Sequence, residues 1–378
     1  MVILVSRLLL AAGLIVIASC ASGRRETAFD AQANALLETV LEKDGGPGVM
    51  AAVVRDGELV WSGAAGFADL EHDIKLTPRH RLRIGSVSKP IAASLALRLV
   101  DKGVLSLDDD VSEYVEIFSP KGESVSLYQL GTHVSGVRHY DFSDYAEANN
   151  TTYYNSLKDA LFHFSDEPLL APPGEAFTYS SLAYNLLGAA LENAAGESYP
   201  ALVSRYLAAP LGLIDTVADH PLDIIDRRAG FYTVTSANPV FPWMTDGAVI
   251  NTITRDSSDY YPSGGMLSTA EDLAQFGYAV FMGEFLSEEA RRTAITPARL
   301  NNGEPIDYSF GWQVYKDAAG AIKAYGHNGE TNGGYAVLRV FPDAGLVVAG
   351  IANYNAIGFE PAFFKAIEDE LPVLIEGG

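Results

Sequence analysis

Hydrophobic and polar positions alternate along this chain in a way that sets out most of an architecture. Residues 29–41 place Ala31, Ala35, Leu36, Val40 and Leu41 at the spacing of a short amphipathic helix. Two strand-like apolar runs follow, 49–54 and 59–65, joined by Arg55-Asp56-Gly57-Glu58. The Asp-Gly pair is a hairpin turn signal, so the chain opens with an antiparallel pair. From Ile91 to Val100 nearly every residue is apolar or small, apart from Ser94 and Arg98. A helix apolar on all sides is a buried one. Pro90 is tolerated only in a first helical turn, which places the helix start close to Ser86. Lys102-Gly103 then closes the helix with a cation and a C-terminal glycine.

Between 91 and about 300 strand signals thin out. Residues 182–194 read as a helix closed by Gly196, and Thr269-Ala270-Glu271-Asp272 opens another with a capping box that runs to Met282. The stretch 215–265, rich in Pro, Asp, Ser, Thr and aromatics, reads as long connections lining something. Strand patterns return at 311–315, 322–325, 334–341 and 346–352, with Pro342-Asp343-Ala344-Gly345 as a tight turn, and 359–371 forms a final amphipathic helix. Strands at both ends with helices between predict an α+β fold. One antiparallel sheet is drawn from both termini (about 28–90 and 305–375) and a helical lobe is inserted (about 91–304), leaving a cleft between lobes in a single catalytic domain, 21–378.

Composition narrows the function. The chain has 378 residues, 48% of them hydrophobic, and a net charge of −22 (26 basic against 48 acidic) with no compensating basic cluster. That balance argues against nucleic acid or an anionic membrane surface as an electrostatic partner. Residues 1–20 are set apart from the fold. After Arg7 an apolar run of signal-peptide length ends in Ile17-Ala18-Ser19-Cys20, which resembles the lipobox of bacterial lipoproteins. The resemblance implies lipidation of Cys20. With Ala21 and Ser22 following, and no aspartate, it leans towards the periplasmic side of the outer membrane. Cys20 is the sole cysteine, which removes structural disulfides and a thiol nucleophile from the mature domain.

Candidate chemistry centres on Ser86-Val87-Ser88-Lys89. A serine and a lysine three apart share one helix face, and a lysine inside an apolar helix carries a charge that is costly to keep. A hydroxyl at the helix mouth with an amine one turn inside suits a nucleophile and its activator. Taken alone, Ser-x-x-Lys is a common pattern and more often a cap beside a solvated lysine. No Gly-x-Ser-x-Gly elbow, no helical pair among the seven histidines and no glycine-rich phosphate loop offers a competing enzyme class. No metal or cofactor is implied.

Two further motifs occur in a fixed order: Tyr179-Ser180-Ser181, and His327-Asn328-Gly329. With Ser86–Lys89 they resemble the serine β-lactamase-like superfamily, in its class C-like branch. That branch also holds D-alanyl-D-alanine peptidases, D-aminopeptidases, family VIII esterases and LACTB-like serine hydrolases. Leu130–Gly136 and Ser263–Leu273 look familiar too, and the likeness runs from about 30 to 370. It implies a β-lactamase/transpeptidase-like fold and an acyl-enzyme on Ser86. Lys89 would accept a proton or tune a neighbour, and Tyr179 would be general base and acid. The backbone N–H groups of Ser86 and Glu330 would form an oxyanion hole, and Ser181, His327 and Gly329 would meet the substrate. Ser181 stands where the family usually has asparagine, and His327 where true lactamases have lysine. Both departures weaken a β-lactamase without touching the acylation residues. A small ester, a D-amino-acid peptide or a peptidoglycan-type amide is the expected substrate. A slow β-lactamase and a non-catalytic envelope binding protein are the alternatives.

Overall fold

The computed structural model describes residues 27–118, 123–141, 143–144, 147, 149–235 and 247–377. Cys20 and the signal-like segment lie outside the described residues. The first helix, α1 (Ala28–Asp44), is capped reciprocally by Thr27 and Asp30 and ends at Gly45 in the left-handed conformation. It leads into β1 (Gly48–Arg55) and β2 (Glu58–Asp69), the expected hairpin, with β3 (Ile74–Lys75) beyond. Met50, Ala52 and Val54 pack on one face of the sheet and Val49, Ala51 and Val53 on the other. Both faces of β1 are therefore covered, which is why its sequence is apolar throughout.

The Ser86 segment forms a 3₁₀ turn (Gly85–Val87) that runs directly into α2 (Ser88–Asp101). Leu95, Leu97 and Leu99 are buried along it, each contributing about 2 kcal/mol of hydrophobic stabilisation. Helices α3 (Ser181–Ala195) and α4 (Ala270–Phe281) pack on the same core. The capping box expected at α4 does not close. Thr269 caps the Asp272 N–H, but the Asp272 carboxylate accepts instead from the Asp215 N–H and the Thr216 hydroxyl.

The C-terminal strands are β4 (Gln313–Lys316), β5 (Ile322–Thr331), β6 (Gly334–Phe341) and β7 (Leu346–Ala352). The sheet runs β3-β2-β1-β7-β6-β5-β4, every pair antiparallel, so β1 from one end of the chain lies against β7 from the other. The last helix begins at Ala362, passes through a π turn at Ala366–Glu370 and ends with Leu371–Gly377, later and longer than expected. It shares the outer face of the sheet with α1. The region 215–265 is not wholly loop: Val217–Ala218, Tyr232–Thr235 and Ala248–Asn251 enter two small side sheets. A helical stretch from Tyr199 to Leu211, with a π turn at Ser204–Ala208, adds to the helical lobe beyond what the apolar pattern predicts.

One difference bears on function. Strand β5 does not stop at Tyr325 but continues through His327-Asn328-Gly329-Glu330 to Thr331. On one side β6 pairs with it to the end, Glu330 opposite Tyr335. On the other side β4 pairs only as far as Gly326. The third motif is therefore a strand edge facing the Ser86 turn.

Candidate active site

Two glycines allow this edge to meet the serine turn. A Cβ on Gly329 would stand 2.0 Å from the Ile84 carbonyl oxygen and 3.2 Å from the Ser86 nitrogen. A Cβ on Gly85, whose φ is +48°, would meet the Glu330 nitrogen at 2.8 Å. Bare backbone on both sides lets the strand approach the serine turn at the backbone of residues 86 and 330.

Beneath the turn Lys89 is fully buried. Its Nζ lies 2.9 Å from Ser86 Oγ, 3.0 Å from Ser181 Oγ and 2.8 Å from the Ser263 carbonyl oxygen. None of the three is an anion, so burial alone pushes the Lys89 pKa well below its ordinary value. A neutral amine has two N–H donors and one lone pair. Donation to Ser263 O and Ser181 Oγ leaves that lone pair for the Ser86 hydroxyl proton. Ser263 belongs to the stretch 263–273, noted only as supporting the resemblance; its carbonyl role leaves no trace in a side-chain pattern.

Tyr179 precedes α3 and hydrogen-bonds Ser86 through its hydroxyl. Its ring lies 4.8 Å from Lys89 Nζ and 4.4 Å from the His133 ring. Burial raises the Tyr179 pKa, outweighing the Ser86 contact, so the resting phenol keeps its proton. Ser181 opens α3 with its hydroxyl on Lys89, and its N–H donates to His139 Nδ1 at 3.2 Å. It thus ties the amine to the cleft wall.

His327 is placed differently from the expected substrate contact. Its side chain is buried beneath β5, with Nε2 3.1 Å from the Tyr308 hydroxyl and Nδ1 2.6 Å from the Asn328 carbonyl oxygen. Burial lowers its pKa to about 3, so the ring is neutral. The carbonyl can only accept, which assigns the proton to Nδ1 and leaves Nε2 to accept from Tyr308. The reason is the period of two along a strand: residue 327 faces the core, whereas Asn328 is turned to the Arg339 and Glu368 side chains.

The cleft encloses about 780 Å³ and is lined by Ser86, Tyr179, Ser181, Gly329 and Glu330 together with His139, Arg255, Tyr260 and several asparagines; His327 is not in its wall. Sequence reading missed His139 and Arg255. Desolvation holds His139 down to a pKa of about 4. The Arg255 guanidinium is paired with Asp259 at 3.0 Å and lies 4.0 Å from the Tyr260 ring centroid. Among the described residues no cluster of His, Cys, Asp and Glu could hold a metal ion.

Known proteins share this arrangement of lobes. The chain is 26% identical to bovine (Bos taurus) serine beta-lactamase-like protein LACTB, mitochondrial, over 87% of its own length and 77% of the relative's. It is 28% identical to penicillin-binding protein 4* of Bacillus subtilis (strain 168), over 88% and 74% respectively. The D-amino acid amidase of Ochrobactrum anthropi SV3 superposes with a TM-score of 0.78 at 22% identity, covering 93% of this chain and 99% of the amidase. The beta-lactamase family model matches residues 33–363, from α1 through both lobes to the last helix. On that match the chain belongs to the beta-lactamase family.

Proposed function

We propose that this protein is a serine hydrolase that cleaves small esters or amides, D-amino-acid and peptidoglycan-type amides among them, through an acyl-enzyme on Ser86. One observation carries the reading: a fully buried, uncompensated Lys89 amine 2.9 Å from Ser86 Oγ. Lys89 takes the hydroxyl proton as Oγ bonds to the substrate carbonyl carbon. The carbonyl electrons move onto oxygen, facing the N–H groups of residues 86 and 330. When the tetrahedral species collapses, Tyr179 gives its proton to the leaving group and regains one from Lys89. Water then attacks the ester and frees Ser86. The raised Tyr179 pKa and lowered Lys89 pKa favour this division, the lysine as acceptor and the phenol as donor. Membership of the family and the D-amino acid amidase fold match are consistent with such substrates.

A fluorophosphonate probe or a fluorescent penicillin should label the wild type and not Ser86→Ala, and p-nitrophenyl ester and D-alanyl peptide hydrolysis should vanish with it. Persistent labelling of the variant would sink the reading. The neutral His327 speaks against efficient nitrocefin turnover. The same proposal places the enzyme in a bacterial envelope, anchored through Cys20, on the strength of the Ile17–Cys20 sequence. No described helix is long and apolar enough to cross a membrane. Cys20→Ala should move the protein from the membrane fraction to the soluble one; unchanged fractionation would count against the anchor.

A further inference from the structure

A phenol that protonates a departing group works only while its oxygen is held in place. Around Tyr179 a single residue makes three contacts. The His133 carbonyl oxygen accepts from the Thr178 N–H at 2.8 Å, and its Nδ1 accepts from the Ser180 N–H at 3.1 Å. Its ring packs on the ring between them, with centroids 4.4 Å apart. Ser180 is extended, with φ −142° and ψ 118°. N–H groups two apart on extended backbone point the same way, so one residue can take both. The Ser180 hydroxyl donates further along the same turn, to the Arg138 carbonyl oxygen at 2.6 Å.

Histidine is a costly choice at this position. The residue is fully buried and its φ is +61°, a conformation that asparagine and glycine adopt more readily. Because Nδ1 accepts, the ring proton sits on Nε2. That N–H is buried with no hydrogen-bond partner among the described residues. A leucine would fill the space without an orphaned donor. Packing alone therefore does not call for an imidazole here, whereas the buried Ser180 N–H calls for an acceptor. Burial holds the ring neutral, which keeps Nδ1 free to accept.

We propose that His133 is a positioning residue for the leaving-group acid: it clasps residues 178 and 180 and so aims the Tyr179 hydroxyl at the atom that departs. This rests on the acyl-enzyme reading above. The effect belongs to one step. A benzyl alkoxide must take the Tyr179 proton as its bond to the carbonyl carbon breaks, whereas p-nitrophenolate leaves as a stable anion. Loss of aim therefore slows a basic leaving group and spares an acidic one.

p-Nitrophenyl acetate and benzyl acetate share an acyl group and differ in the group that leaves. His133→Leu should raise the p-nitrophenyl to benzyl ratio of kcat/KM by about ten-fold or more. His133→Asn, whose amide oxygen can take the place of Nδ1 and whose backbone tolerates the same φ, should return the ratio to within about three-fold of wild type. Because each ratio is taken within one protein, a loss of folded material cancels. An unmoved ratio in His133→Leu, or His133→Asn as altered as His133→Leu, overturns the inference. Should the leucine variant fail to fold, nitrogen NMR of the histidine rings gives a second reading. The ring signal missing from His133→Asn should be an Nε2–H tautomer at neutral pH, and an Nδ1–H tautomer there overturns the clasp. Tyr179→Phe should raise the same ratio by about 10²-fold. An unmoved ratio in that variant, or a wild type that cleaves only the p-nitrophenyl ester, would instead defeat Tyr179 as the acid, so the two failures are distinguishable.

Discussion

An ordinary lysine at neutral pH is an ammonium and cannot take a proton from a serine hydroxyl. At position 89 no bulk water reaches the amine and no carboxylate pays back the lost hydration, so the neutral form is favoured. The sign for activity follows. Protonated Lys89 is inactive, so kcat/KM rises with pH as the amine loses its proton, and the rise falls well below the ordinary lysine value of 10.5. His139 and His327, with pKa values near 4 and 3, stay neutral throughout that rise. Lys89→Arg keeps a cation that does not deprotonate, and should lower kcat/KM on a p-nitrophenyl ester by about 10²- to 10⁴-fold with the rise abolished. A variant within a few-fold of wild type would remove Lys89 as the base.

At the scale of elements the site is a meeting of one helix mouth and one strand edge, and the tolerances are those of backbone against backbone. Gly329→Ala puts a methyl 2.0 Å from the Ile84 carbonyl, an atom with no rotamer to escape into. The strand must move off the Ser86 turn. That shift costs about 1–3 kcal/mol of stability and takes the Glu330 N–H away from the reacting carbonyl. Loss of one oxyanion donor lowers kcat by about 10²- to 10³-fold. Thermal melts and ester kinetics on the purified variant give both numbers, and undiminished kcat would show that the Glu330 N–H plays no such part. Part of this was legible beforehand. Helix α2 and strand β1 are nearly continuous apolar runs, and their ends carry Gly103 and Asp-Gly. The extension of β5 was not legible, because His327 to Thr331 is a polar run with a free edge and no alternation to read. The helical stretch 199–211 escaped because Pro200 and Pro210 sit inside it.

Across the whole molecule, segments distant in sequence are clasped at a few buried points. Arg83, just ahead of the Ser86 turn, donates to Asp219 at 2.7 Å and to the Asn332 carbonyl oxygen at 2.9 Å, with its guanidinium 4.1 Å from the Phe231 ring centroid. It ties the serine turn to the 215–235 segment and to the end of β5. Arg83→Met would leave the buried Asp219 with Arg228 alone, at 3.3 Å. Breaking one partner of a buried ion pair costs about 3–5 kcal/mol, and the residual Arg228 contact puts the expectation near the lower end. Urea denaturation should show that loss. A change under about 1 kcal/mol would mean that packing, not this pair, holds the segments together.

By itself the sequence determined the elements that have a period, their order along the chain, and the set of residue types able to acylate. Those are local properties: apolar spacing, turn chemistry and motif order survive in one dimension. Which face each site residue turns to the cleft was decided only in three dimensions. On a strand neighbouring side chains point opposite ways, so the pairing of β5 with β6 sends His327 into the core and turns Asn328 to Arg339 and Glu368 on the other face. The same holds for Lys89. Its identity was written in the chain, but its neutrality comes from the lobes that close over it and from three oxygen neighbours contributed at positions 86, 181 and 263.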